Sequence, residues 1–180
     1  TPASYDRNVF GTLEREPGMT AAICPTRPSS RGTIMAASTD PLQAPAINPG
    51  YLSDEDDYRV LEAGMAHARR IFASPAMAQH SVVETSPGSE VQSSEDLRDF
   101  FRRSSTTIYH PVGTCKMGED PMAVVDSRLR VHGLECLRVI DASVMPVLTT
   151  GNTNAPTVMI AEKASDMILA AGRDGVRLAG

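Results

Sequence analysis

The sequence predicts an α+β chain, and two kinds of observation carry that expectation. Short apolar pieces separated by Pro, Ser, Thr and Gly read as brief strands joined by loops. Three longer segments instead repeat their apolar residues at helical spacing and carry helix start or stop signals. With 180 residues, 41% of them hydrophobic and 22% charged, the chain has the composition of a folded domain with its own core.

Along residues 1–50 the pieces Ala21-Ala22-Ile23-Cys24 and Thr33-Ile34-Met35-Ala36 are the strand candidates. A helix is expected over 54–72. Ser53 is positioned to cap it, and Asp54, Glu55, Asp56 and Asp57 crowd its first turn, where the helix dipole favours negative charge. Leu61, Met65, Ala68 and Phe72 follow at helical spacing, Arg69 and Arg70 suit the far end, and Pro75 stops the run. Residues 80–94 are polar and Ser-rich, a surface loop, and Ser94 could cap a short helix over 95–103 with Leu97, Phe100 and Phe101 on its apolar face. Residues 124–131 and 137–141 are β-rich around a His132-Gly133 turn, so Arg138-Val139-Ile140 should be a strand ending at Asp141. The last helix is expected over 155–171, with Asn154 at its cap, Pro156 in the first turn, where a missing N–H costs nothing, and Gly172 as the natural stop. Its apolar residues, Val158, Ile160, Ala161, Ala164, Met167, Ile168 and Ala171 among them, exceed what one packing face can use.

Charge and composition narrow the function classes. A net charge of -5, without any basic run, argues against nucleic acid. No apolar run approaches a membrane span, so a membrane partner is not indicated. Cys24, Cys115 and Cys136 are an odd number without C-x-x-C spacing, which favours reduced thiols over a disulfide framework or a zinc site. There is no signal peptide, and a cytoplasmic, bacterial-type location is expected; the chain starts at Thr1 rather than Met, so the expectation is that its native N-terminus is missing. There is no G-x-S-x-G, H-E-x-x-H or Walker motif, and no metal site is expected.

The chemistry lies in three blocks. The first is Tyr109-His110-Pro111-Val112-Gly113-Thr114-Cys115-Lys116-Met117-Gly118. The second is Leu137-Arg138-Val139-Ile140-Asp141-Ala142-Ser143-Val144-Met145-Pro146, and the third is Gly151-Asn152-Thr153-Asn154-Ala155-Pro156-Thr157. Taken alone, a His between Pro and Gly is usually an exposed or hydrogen-bonded turn residue, and Asn152 a turn former that tolerates left-handed backbone. Taken together and in this order, the blocks resemble the C-terminal signature of the glucose–methanol–choline (GMC) family of FAD-dependent alcohol oxidoreductases, closest to its choline dehydrogenase and aryl-alcohol dehydrogenase branch. The stretch from Arg31-Gly32-Thr33 through Asp40-Pro41 to Tyr51-Leu52 resembles the same family's substrate-binding domain.

That resemblance implies a substrate-binding mixed β-sheet with helices over residues 1–108, and over 109–180 a catalytic-loop segment that completes an FAD-binding domain. It implies that a primary alcohol, choline-like, aromatic or aliphatic, is oxidised to the aldehyde, with hydride passing to flavin N5. His110 would be the base, since imidazole is the side chain that ordinarily titrates near neutrality. Asn152 would orient the hydroxyl and stabilise alkoxide charge. Asp141, Ala142, Asn152, Thr153 and Asn154 would border the FAD, and oxygen or a quinone-type acceptor would take up its electrons. No G-x-G-x-x-G occurs in the chain, so the pyrophosphate-binding turn of such a protein is missing. The 180 residues are therefore expected to be a C-terminal part, inactive by itself, which lacks an N-terminal FAD domain and is prone to self-associate through its last helix. A hydroxynitrile lyase with a non-redox flavin is the rival reading for the parent.

Overall fold

Charge at both ends and apolar spacing between them make the first long helix, α1, of the computed structural model, which describes residues 1–5, 12–80 and 82–178, with side chains to 172. The chain divides into two compact units that interleave in sequence, residues 1–25 with 54–105, and residues 26–53 with 106–180.

In the first unit α1 spans Glu55–Phe72. Its cap is Asp54, whose Oδ1 accepts the Asp56 N–H at 2.9 Å, one residue later than Ser53. Glu55, Asp56 and Asp57 fill the first turn and Arg69 and Arg70 the last, complementing the dipole at both ends. Pro75 opens the single turn α2, Pro75–Ala78. Helix α3 covers Ser94–Ser104 and is capped by Ser93, whose hydroxyl accepts the Asp96 N–H at 3.1 Å. Tyr58 and Leu61 of α1 and Leu97 and Phe101 of α3 are buried. Each such apolar side chain contributes about 1.5–3 kcal/mol of burial.

Arginines tie this unit together. Arg98 bonds Glu62 at 2.8 Å, lies 5.1 Å from the Tyr58 ring centroid and also pairs with Glu55. The Arg98 bond holds the Glu62 carboxyl below its usual range. Arg69 reaches from the end of α1 into the 84–92 loop, where it bonds Glu84 at 2.8 and 3.0 Å and the Val91 carbonyl at 2.8 Å. Residues 21–24 form no strand. Ile23 instead lies against α1 at Gly64, where an added Cβ would come within 2.4 Å of its Cγ2.

In the second unit β1 (Thr33–Met35) and β2 (Ala46–Asn48) pair antiparallel, with Ile34 opposite Ile47. All six of their residues are exposed. The core of this unit is Val125, Leu129, Val144, Met145, Ile160 and Ala164, flanked by Val112, Met117, Val139 and Ile140. The β-rich stretch expected over 124–141 appears as single bridges, Met117 to Val125, Val125 to Val131 and Arg130 to Arg138, not as continuous strands. Asp141 does not close a strand. It caps a 3-10 turn over Ala142–Val144.

The last helix, α4, runs over Asn154–Leu178 and passes through both Gly172 and Gly175 without stopping. One glycine costs a helix interior only about 1 kcal/mol relative to alanine. Ile160 and Ala164 face the core, while Val158, Met159, Ile168 and Leu169 are exposed. No described helix is long and apolar enough to cross a membrane. Cys24, Cys115 and Cys136 are free thiols.

Candidate active-site loops

His110 sits in a loop whose backbone is set by its neighbours. Tyr109, just before it, takes a left-handed φ of 62°, uncommon for a bulky aromatic residue. The Tyr109 N–H donates to Thr107 Oγ1 at 3.0 Å. Pro111 follows, and Gly113 has a φ of 88°, where a Cβ would lie 3.3 Å from the Met145 carbonyl oxygen. Backbone of this kind costs on the order of 1–3 kcal/mol for a non-glycine residue and clusters at functional sites. The loop is then tied down, because the Cys115 N–H donates to Ser143 O at 3.0 Å and the Met117 N–H to Val144 O at 2.9 Å. The first block is thereby held against the second.

The third block meets the first through one side-chain bond. His110 Nδ1 and Thr153 Oγ1 lie 3.1 Å apart. His110 is half-buried, and Thr153 is only 9% exposed. Thr153 also occupies the cap position of α4, since its carbonyl accepts the Thr157 N–H at 3.0 Å and the Thr157 hydroxyl at 2.6 Å. Asn152, the residue before it, is exposed, as is Asn154, the first residue of the helix. Gly151 has open space around the position of a Cβ. His110 and Asn152 thus belong to two loops linked at Thr153, with Asn154 opening the helix that follows.

Asp141 bonds within its own turn. The Asp141 carboxylate accepts both the Ser143 N–H at 2.8 Å and the Ser143 hydroxyl at 2.5 Å, so its acceptor capacity is partly spent on its own turn. Asp126 holds the 126–130 turn. Its carboxylate accepts the Arg128 N–H at 2.8 Å, the Arg130 N–H at 2.9 Å and Arg130 Nε at 2.8 Å. The Arg130 backbone bond is the leading cause that depresses its carboxyl to about 2. Lys116 pairs with Asp120 at 2.8 Å and lowers that carboxyl as well. Among the described residues no group of three His, Cys, Asp or Glu could hold a metal.

The contact that reading the sequence did not supply is the one between His110 and Thr153. A signal for it exists in Thr153-Asn154-Ala155-Pro156: proline at the third helical position deprives the cap hydroxyl of a usual donor and leaves it free for another.

Comparison with known proteins places these loops in context. The model of the GMC oxidoreductase family matches residues 28–161. The chain is 49% identical over 152 residues to an alcohol dehydrogenase [acceptor] of Pseudomonas putida, covering 84% of this chain and 28% of that protein. It is 48% identical over 154 residues to an oxygen-dependent choline dehydrogenase of Pseudomonas savastanoi pv. phaseolicola, covering 86% and 27%. Among solved structures it is similar to an FAD-dependent oxidoreductase from Chaetomium thermophilum, with a TM-score of 0.78 and 31% identity over 82% of this chain and 26% of that one. The chain therefore spans just over a quarter of the length of the curated relatives it matches.

Proposed function

Because the chain belongs to the GMC oxidoreductase family, we propose that it supplies the catalytic loops of an FAD-dependent enzyme that oxidises a primary alcohol to an aldehyde. The observation that carries the reading is the link between His110 and the 151–154 loop through Thr153. It ties the imidazole to the loop that carries Asn152, so two groups suited to a hydroxyl come from neighbouring loops. The names of the relatives, an alcohol dehydrogenase and a choline dehydrogenase, support the alcohol class.

In this proposal His110 takes the hydroxyl proton on Nε2, the ring nitrogen that has no partner among the described residues. Asn152 donates its amide N–H to the alcohol oxygen and stabilises the charge that develops there as the proton leaves. Bound FAD would supply the acceptor for the hydride that leaves carbon. A positioned base of this kind contributes on the order of 10²–10⁴-fold in rate.

The donor set at the start of α4 fits FAD. The N–H groups of Asn154 and Ala155 have no intrahelical acceptor, and the positive end of the helix dipole suits the flavin edge that gains negative charge on reduction. Thr153 and the backbone at Asp141 and Ala142 would border the cofactor, with the Asp141 carboxylate kept for Ser143. The pyrophosphate-binding turn would come from outside these 180 residues. Electrons would leave to oxygen or to a quinone-type acceptor. A screen of primary alcohols against the flavin-loaded full-length protein with an artificial electron acceptor tests the reading. Aldehyde formation coupled to dye reduction is expected, and aldehyde formation from a cyanohydrin without dye reduction would replace oxidation with lyase chemistry.

A further inference from the structure

We propose that Thr153 is a positioning residue: its hydroxyl accepts the Nδ1–H of His110 and so fixes the imidazole tautomer whose Nε2 lone pair can take a proton. The catalytic consequence rests on the reading above, whereas the tautomer can be measured independently of it.

Two observations lead to Thr153. The first is the 3.1 Å separation of Oγ1 and Nδ1 at a threonine only 9% exposed, where water competes poorly for the hydroxyl. The second is the position of Thr153 in the helix. A threonine at a cap ordinarily accepts the N–H of the second or third helical residue. Here the third is Pro156, which has no N–H, and the bond to His110 is the one the Thr153 hydroxyl makes among the described residues. The lone pairs that a cap would normally commit to its helix remain available, and the imidazole N–H is the donor within reach.

The base role proposed for His110 then selects the direction of the bond. A neutral imidazole has one donor nitrogen and one acceptor nitrogen. If the Thr153 hydroxyl donated to Nδ1, Nε2 would already carry the hydrogen and could take no proton. If Nδ1–H donates to Oγ1, Nε2 is the acceptor. After Nε2 gains a proton both nitrogens are donors, so Oγ1 can only accept, and the bond survives the transfer without rearrangement. Thr153 thereby acts as the orienting third group of a substrate–base–orienter chain.

The test is long-range ¹H–¹⁵N spectroscopy of the ¹⁵N-histidine-labelled protein above the titration range of its rings. His110 is assigned among His67, His80, His110 and His132 by its loss in His110→Gln. The expected spectrum has a protonated-type Nδ1 and a lone-pair-type Nε2 at His110. Thr153→Val keeps the shape and removes the hydroxyl, so the ring should become a mixture with a large Nε2–H population, and Thr153→Ser should restore the original pattern. Backbone amide shifts in the 151–157 segment should stay close to wild type in both. A wild-type ring that is mainly Nε2–H overturns the proposal, and this holds even if a variant fails to fold. A Val variant that keeps Nδ1–H overturns it as well.

In the flavin-loaded full-length protein Thr153→Val should lower kcat roughly 10-fold, the scale of one lost hydrogen bond, with Ser recovering most of it. The two levels of the account fail separately. Normal turnover in His110→Gln would end the base assignment while leaving the tautomer result intact. An inactive His110→Gln beside a Val variant with unchanged tautomer would end the Thr153 proposal alone.

Discussion

Replacing Asp126 by asparagine should remove a pH-dependent part of the stability of the unit that carries the loops. The carboxylate accepts two backbone N–H groups and Arg130 Nε, and its pKa falls from an ordinary 3.8 to about 2. A depressed carboxyl stabilises the fold above its unfolded pKa, and the contribution disappears as pH drops from about 4 to about 2. At about 1.4 kcal/mol per unit the full shift corresponds to about 2 kcal/mol. The Arg130 side chain is 55% exposed and the Asp126 side chain 18%, so solvent screening reduces this to about 1–2 kcal/mol. Asparagine keeps one oxygen for the backbone donors but presents an N–H₂ to Arg130. Urea unfolding of wild type and Asp126→Asn should therefore differ by about 1–2 kcal/mol near neutral pH, a midpoint shift of roughly 0.5–1 M for a slope of about 2 kcal/mol/M. The gap should close as pH approaches about 2. A gap that is equally large at both pH values, or absent at neutral pH, would refute the reasoning. The loss matters for the site because this turn carries Leu129, which packs in one core with Val144, whose carbonyl accepts the Met117 N–H of the His110 block.

Three further outcomes are expected. The 180-residue chain should retain no flavin absorbance after extensive dialysis, since it has no G-x-G-x-x-G, and a stable flavin spectrum would contradict this. Gly113→Ala should cost about 1–3 kcal/mol in thermal or urea unfolding, because its φ of 88° and the 3.3 Å approach to Met145 O both oppose a Cβ; an unchanged midpoint would show that the loop relaxes. Sedimentation of the same chain should show concentration-dependent self-association that weakens in Met159→Glu, because Val158, Met159, Ile168 and Leu169 of α4 are exposed. A monomer at all concentrations would remove that expectation.

The helices were legible because their signals are local. Acidic first turns, basic last turns and serine or aspartate caps all lie within a few residues of the ends they mark, so α1 and α3 came within a residue or two of expectation. The β-rich run at 124–141 was legible in composition but not in form. Leu129 and Cys136 adopt left-handed backbone with φ of 62° and 58°, which breaks pairing into single bridges, and neither residue type announces such a conformation. Ile23 read as strand because apolar neighbours surround it, yet its role is to lie against Gly64, a tertiary contact that no local pattern encodes. The end of α4 was misjudged because a glycine costs too little to stop a long helix, and α4 passes through both Gly172 and Gly175. His110 and Asn152 stand out in the sequence only as members of a family string. The bond that links their loops joins residues 43 apart in the chain, beyond the reach of any local pattern.

The central claim is that His110 accepts the substrate proton. Its most direct test is His110→Ala in the flavin-loaded full-length protein, with turnover and flavin content measured on the same samples. The account predicts a kcat lowered by about 10²-fold or more with flavin absorbance per protein unchanged, whereas near-normal turnover with bound flavin would show that His110 only shapes its loop.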